Sequence, residues 1–490
     1  MKYKLIGITV VAAVLAVTIG MSLVTSDEET GRFIEHLDAE QKTPCTDCTA
    51  ELCTHLPIVK IDTQGKDIPG EVILNEAGGH TIDYTKSETG EDTIVSQIEI
   101  VDNSKEFNHT EDSPKLSTKA KIRIRGNSSR HFEKKGYFLD FITDTGENNP
   151  QEVMGMDAHH EWALHGPYLD RTLIRNYMCY SIAGQIMDYA PNVRFCEVII
   201  NGEYNGLYLM TETVTAGKDG ARLSLSVNKK DNTFSGYLLR VDRGSETELK
   251  NINSFSEYTH NTGSRVNIEY PGTANLNETL ARNIRDDFSA FEKALFSYDY
   301  DDEKYGYENF IDEQSFIDYF IFNEFASNYD AAQYSTYIYK GTDGKFRLCV
   351  WDFNNAFDNY QENETSYRQF ALQGKLWYSM LFCDEDFTEK VIARYKELEK
   401  LYLNEEYINE FIDGTITYLG DAIDRNYEKW GHIFTPEYDR LFDFHRNHHS
   451  YETAVLQLKE YAAHRCEWMS ENIETLRQYS AESKVKQHNY

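Results

Sequence analysis

The sequence predicts an α+β fold, β-rich in its first half and mostly helical in its second, with one hairpin in between. Three observations carry this reading. Up to about residue 245, short runs alternate apolar and polar residues and are bounded by Gly, Asn and Pro, the period-two pattern of half-buried strands. From Asn277 onward, apolar residues recur at helical spacing with few breakers. Residues 328–358, NYDAAQYSTYIYKGTDGKFRLCVWDFNNAFD, hold two runs rich in β-branched and aromatic residues around Gly341-Thr-Asp-Gly344, a hairpin sequence.

In chain order, Leu56–Asp62 and Glu71–Leu74 read as strands around a glycine turn, and Ile94–Asp102 as a half-buried strand before a polar loop. Ala120–Arg125 and Lys135–Phe141 flank the loop GNSSRHFEK. Its Gly, Asn and Ser amides, with Arg125, Lys134 and Lys135 nearby, suit a phosphate, although a polar hairpin loop with a solvated basic face is the commoner meaning of such a stretch. In Glu161–Pro191 the second half has helical spacing, with Asp170 as N-cap and Pro191 as stop. Phe195–Val214 is a hairpin turned by Asn201-Gly202, with Glu212 at the far end as either an edge or a site residue. Ser235–Val241 is a strand leading to Asp242 and Arg243, and residues 245–275 read as a loop-rich insertion. Helices are predicted over Leu280–Leu295, Glu313–Ser327, Phe387–Leu403, Asn404–Trp430 and Thr453–Arg477.

The central hairpin collects the chemistry. A two-residue turn at Asp343-Gly344 pairs Thr342 with Lys345 and sets Ser335 opposite Asp352. Asp330 then falls at the same open end, beside Asn354 and Asn355. Two carboxylates among amide and hydroxyl oxygens make a hard-cation site. Mg²⁺ takes one or two carboxylates plus substrate phosphates. Phosphoryl transfer needs one aspartate for the acceptor hydroxyl and another for metal. Asp and Asn also gather at strand ends because they favour turns.

A net charge of −32 argues against a general nucleic-acid binder, which needs Lys and Arg on phosphates. At the N-terminus, Lys2 and Lys4 precede an uncharged run, Leu5–Val24. About 20 such residues can span a bilayer, and the lysines favour a cytoplasmic N-terminus. Residues 1–25 thus read as a membrane anchor or a signal peptide, residues 26–55 as an acidic stalk with a cysteine cluster, and 56–480 as the main domain. The expected location is the cell membrane, single-pass with the domain outside the cytoplasm, or the cell surface. In the stalk, PCTDCTAELC places Cys45, Cys48 and Cys53 together. The C-x-x-C suits metal or redox chemistry, but no second C-x-x-C or His pair follows nearby in sequence, and a disulfide is the commoner outcome outside the cell.

These stretches together resemble the CotH (spore coat protein H) kinase family, from about Ile58 to Arg477. The resemblance rests on RGNSS with KKGYFLDF, WALHGPYLDRTLIRN, VIINGEYNGLYLMTETV, GYLLRVD, NEFASNYDAAQYSTYIYK and VWDFNNAFD, in that order. It implies an atypical protein-kinase-like fold, β-rich lobe first and helical lobe second, that uses ATP and Mg²⁺ or Mn²⁺ to phosphorylate Ser residues of proteins. It places the catalytic aspartate at Asp330 and a metal aspartate at Asp352, with Ser335 and Asn354 completing the metal side. Lys134 or Lys135 would bind phosphate, with Arg125 beside them and Glu212 as a partner or nucleotide contact. The chain departs from the family at Ser335, often Asn, at Asn354, where many members have Asp, and near Asp358, where a Gly is missing. Two other readings stand beside this one: a catalytically degenerate structural or adhesive surface protein on the same fold, and a carbohydrate-acting enzyme with paired carboxylates.

Overall fold

Seven of the alternating runs close into a barrel. The computed structural model describes residues 32–46, 48–73, 83–217, 222–245, 247–255, 264–361, 363–435 and 446–480. Strands β1 (Ile58–Asp62), β2 (Ile94–Val101), β3 (Leu116–Arg125), β4 (Gly136–Ile142), β5 (Glu161–His165), β6 (Val193–Ile200) and β7 (Glu203–Glu212) follow the order β5-β7-β6-β1-β2-β3-β4, and β4 pairs with β5 to close it. Only β6 and β1 run parallel, with Ile58 opposite Glu197. The alternation sends Ile98, Ile122, Leu139, Trp162 and Met210 into one shared interior. Asn201 and Gly202 take the positive φ values, +52° and +84°, that the tight turn between β6 and β7 demands.

Helix α1 (Arg175–Ile186) starts five residues after Asp170. The N-cap position is therefore Ile174 and not Asp170, which instead reaches the helix start from outside it, its Oδ2 accepting from the Arg175 amide at 2.8 Å. The helix is buried on nearly every face, so it carries no polar stripe. Tyr177 joins a core that also holds Phe195 of the barrel and Leu239 and Ile338 of a second sheet.

That second sheet contains β8 (Tyr237–Asp242), β9 (Asn251–Ile252), β10 (Arg265–Tyr270), β11 (Thr336–Lys340) and β12 (Phe346–Cys349), in the order β9-β10-β8-β11-β12. Residues 245–275 are therefore more than a loop. Val266 and Ile268 of β10 bury their side chains in the core, while residues 256–263 lie outside the described part. The β11–β12 hairpin differs from expectation by one residue. Lys340 pairs with Phe346, and the Gly341 amide donates to the Lys345 carbonyl at 2.8 Å. The loop thus has three residues, Thr342-Asp343-Gly344, with Gly344 at φ +84°.

Helices α2 (Glu278–Leu295), α3 (Glu313–Phe325), α4 (Glu385–Leu401), α5 (Glu405–Leu419), α6 (Asp421–Trp430) and α7 (Tyr451–Asn472) complete the α+β fold. Side chains of Asn277, Asp312, Asp384, Asn404 and Ser450 cap α2, α3, α4, α5 and α7. The single helix predicted over 404–430 is two, broken at Gly420 with φ +47°. At the centre, Arg465 of α7 and Glu324 of α3 form a wholly buried ion pair at 3.2 Å.

Part of the predicted stalk packs against the body. Ile34 and Glu35 are buried, and Glu35 accepts from the Phe195 amide at 2.9 Å and from Tyr418 Oη at 3.2 Å. The apolar run Leu5–Val24 lies outside the described residues, as does Leu74, the last residue of the predicted Glu71–Leu74 strand. Among the described residues, no helix is long and apolar enough to cross a membrane.

Candidate active site

Asp330 lies in the turn that leads from α3 into β11, and Asp352 just beyond β12. The shifted register does not separate them, because the backbone curls at both ends. Ala332, Ser335 and Asp352 all take left-handed φ values, +61°, +50° and +62°. Ser327, Phe357 and Asp358 do the same, at +47°, +52° and +58°. Each such residue costs roughly 1 kcal/mol or more, so the surrounding packing has to hold the loop in place.

Burial pushes the Asp330 carboxyl up to about 6, and the Asp352 charge pushes it the same way. Asn355 Nδ2 donates to Asp330 Oδ2 at 2.7 Å. Burial likewise raises Asp352, while Arg125 and Asn354 favour its charged form. Asn354 Nδ2 donates to Asp352 Oδ1 at 2.5 Å. Arg125, at the end of β3, lays its guanidinium over the Trp351 ring at 5.4 Å. Arg243, just past β8, lies over Tyr334 at 4.4 Å and is attractive to Asp330. Lys375 approaches from the segment before α4, donating to the Tyr329 carbonyl at 2.6 Å. Burial holds its ammonium down to about 8.

One face of α1 fixes this loop. Tyr180 Oη accepts from the Asp352 amide at 3.0 Å, and Asn176 Oδ1 accepts from the Phe353 amide at 2.9 Å. Asn176 Nδ2 donates to Asn354 Oδ1 and contacts His165 Nε2, both at 2.9 Å. Burial keeps that imidazole neutral, down to about 3, so Nε2 can accept. Arg175 Nε donates to the Ala356 carbonyl at 3.0 Å while its NH1 pairs with buried Asp170 at 2.6 Å. Sequence reasoning gave none of these helix residues a role. Their signal was Asn176 and Tyr180, one turn apart at i, i+4 and so on one face of the helix.

Lys134, Lys135 and Glu212 make their polar contacts with groups other than the aspartate pair. Lys134 is buried, with Nζ donating to the Leu207 carbonyl at 2.6 Å and to Asn426 Oδ1 at 2.7 Å, so it ties the barrel to α6. Lys135 donates to the Arg130 carbonyl at 2.8 Å. Glu212 is buried in the barrel, accepting from the Asn192 amide at 2.8 Å and facing Arg222 at 3.5 Å. Ser335 is half-buried in the turn before β11. The cleft lined by Arg265, Arg282 and Arg285 holds none of these residues.

The donor set suits a hard divalent cation, because carboxylate and amide oxygens dominate it. Asn328 Oδ1 is buried without a hydrogen-bond partner, while Nδ2 of the same side chain reaches toward the Asp352 carbonyl at 3.5 Å. Two carboxylates held above their ordinary range gain most from a cation that shares their charge.

Comparison with known proteins agrees with the motifs. The chain is 22% identical over 308 residues to the inner spore coat protein H of Bacillus subtilis (strain 168), covering 62% of this chain and 76% of the relative. The family model described as CotH kinase protein matches residues 122–469, well over half of the sequence, from within β3 to within α7. On that match, the chain belongs to the CotH kinase protein family.

Proposed function

We propose that the protein is an atypical protein kinase that transfers the γ-phosphoryl group of ATP to serine hydroxyls of surface or coat proteins, with a divalent metal. The observation that carries this is the pair Asp330 and Asp352, coupled in charge, held by Asn355 and Asn354 and faced by arginines. The kinase-like two-lobe reading belongs to the same proposal. So does placement outside the cytoplasm or at a coat, which draws on the relative's name.

In this reading Asp352 would hold the metal, with Asn354 orienting its carboxylate and Asn328 and Ser335 offering further oxygens. Bound there, Mg²⁺ or Mn²⁺ would neutralise charge on the ATP phosphates. Asp330 would orient the serine hydroxyl and take its proton as the Oγ–phosphorus bond forms and the bond to the β–γ bridging oxygen breaks. With its carboxyl near 6, Asp330 is mostly ionised at neutral pH, as a base must be. Arg125 is the cation that favours the charged form of Asp352, so it leads Lys134 and Lys135 as the phosphate contact. Lys134 would have to give up two short bonds to serve.

The test is transfer from labelled ATP with Mg²⁺ or Mn²⁺. Asp330→Ala is expected to lose transfer at least 100-fold yet keep metal-dependent ATP binding, and Asp352→Ala to lose both. Transfer that survives both substitutions sinks the assignment. A wild type that neither transfers phosphate nor gains thermal stability from ATP and metal supports a structural coat protein on this fold instead.

A further inference from the structure

The cysteine cluster in the N-terminal segment lacks a partner in sequence and finds one in space. A two-residue ladder pairs Cys53–Thr54 with Asn108–His109 and sets Cys53 directly opposite His109. Nearby, the Thr43 amide donates to the Lys105 carbonyl at 2.7 Å, and the Phe107 amide to the Thr43 carbonyl at 3.1 Å. The segment carrying Cys45 and Cys48 is thereby folded against the loop that carries His109. The donor atoms of Cys45, Cys48 and His109 all lie within 4.8 Å of one another. Cys53 lies outside that group, held opposite His109 by the ladder.

The histidine is set up as a ligand. Its Nδ1 lies 3.3 Å from Asp112 Oδ2, and the same carboxylate oxygen accepts from the His109 amide at 2.9 Å and from Asn103 Nδ2 at 2.7 Å. A carboxylate on Nδ1 fixes the tautomer that leaves Nε2 with its lone pair. That Nε2 is shielded from solvent and has no hydrogen-bond partner.

We propose that Cys45, Cys48, Cys53 and His109 form a structural zinc site that fastens the N-terminal segment to the barrel. Three thiolates and one imidazole make a closed Cys₃His tetrahedron, the pattern of a structural rather than a catalytic zinc. With Zn–S about 2.3 Å and Zn–N about 2.0 Å, the donors need to stand roughly 3.5–3.8 Å apart, a small contraction for Cys45, Cys48 and His109, which already lie within 4.8 Å of one another, whereas Cys53 has to turn its sulfur in from its ladder position opposite His109. Three sulfurs cannot all be satisfied by disulfides among themselves, while Cys179, Cys196 and Cys349 are buried elsewhere in the core. Zinc uses all three sulfurs, and binding releases the thiol protons to solvent.

The test quantifies zinc in the full chain purified under reducing conditions and follows affinity by chelator competition. The expected result is one zinc per chain, with affinity at least tenfold weaker in Cys48→Ser and in His109→Gln and unchanged in Cys383→Ser. Should either site variant fold poorly, Asp112→Asn keeps every ligand and should still weaken zinc about 10–100-fold. Stripping zinc should also speed protease cleavage within residues 43–53. No zinc in the wild type, a disulfide between any two of the three cysteines, or unchanged affinity in both His109→Gln and Asp112→Asn overturns the proposal.

Discussion

Asp330 carries its charge where water is scarce and another carboxylate is close. Its folded value near 6 stands above the ordinary 3.8, first because of burial and then because of Asp352. A carboxyl raised in this way favours folding while protonated. The benefit is complete below about pH 4 and is lost as pH rises through about 6. In metal-free buffer, Asp330→Asn is therefore expected to be more stable than the wild type at pH 7.5, by ~1–2 kcal/mol, with the gap closing toward pH 4. Thermal melts across that range check this, and an equal or lower melting temperature at pH 7.5 contradicts it. At this scale the sequence showed the residue types and not their company. Asp330 and Asp352 were legible because they flank a hairpin. Lys375 was not, because nothing in a lone lysine after Gly374 says that its ammonium turns toward Tyr329.

Helix α1 acts as a splint for the loop after β12. Asn176 spends both halves of its amide there, and removing it leaves the Phe353 amide buried without an acceptor. Asn176→Ala should cost about 1–3 kcal/mol and weaken metal-dependent ATP binding, whereas Gln185→Ala on the same helix should leave that binding unchanged. Urea unfolding and ATP titration read the two effects; equal behaviour of the two variants would show that the splint does not matter. Periodicity located this helix, but not its contacts, since it is buried all round and offers no stripe to orient it. The hairpin shows the opposite limit. Strand identity came from composition, but register hangs on loop length, and the loop takes in Thr342 because Gly341, not Thr342, pairs with Lys345. Gly420 is a plainer miss: one glycine inside a helical pattern is normally tolerated, and here it takes φ +47° and splits the helix.

Across the whole molecule, the pair Glu324–Arg465 joins the helix that presents Asp330 to the last long helix. Arg465 also donates to the Tyr367 and Gln369 carbonyls, both at 2.7 Å, and Glu324 accepts from the Ala371 and Leu372 amides at 2.7 and 2.6 Å. Arg465→Met should destabilise by about 3–5 kcal/mol because it strands a buried carboxylate, and adding Glu324→Gln should recover part of the loss. Denaturant midpoints of the single and double variants decide; no recovery would mean that the arginine's carbonyl contacts carry the cost. The α+β layout was legible from periodicity alone, while barrel closure was not, since the pairing of β6 with β1 joins runs far apart in the chain. That one parallel seam also dictates a schedule. During synthesis, β1 can pair with β2 early, Ile58 opposite Val101, but its other edge must wait until Glu197 has emerged, and any chain ending before β6 keeps that sheet edge open. Folding should therefore be slow and late-committing for the barrel, with a long window in which the nascent β1–β4 meander is exposed to strand exchange with its neighbours.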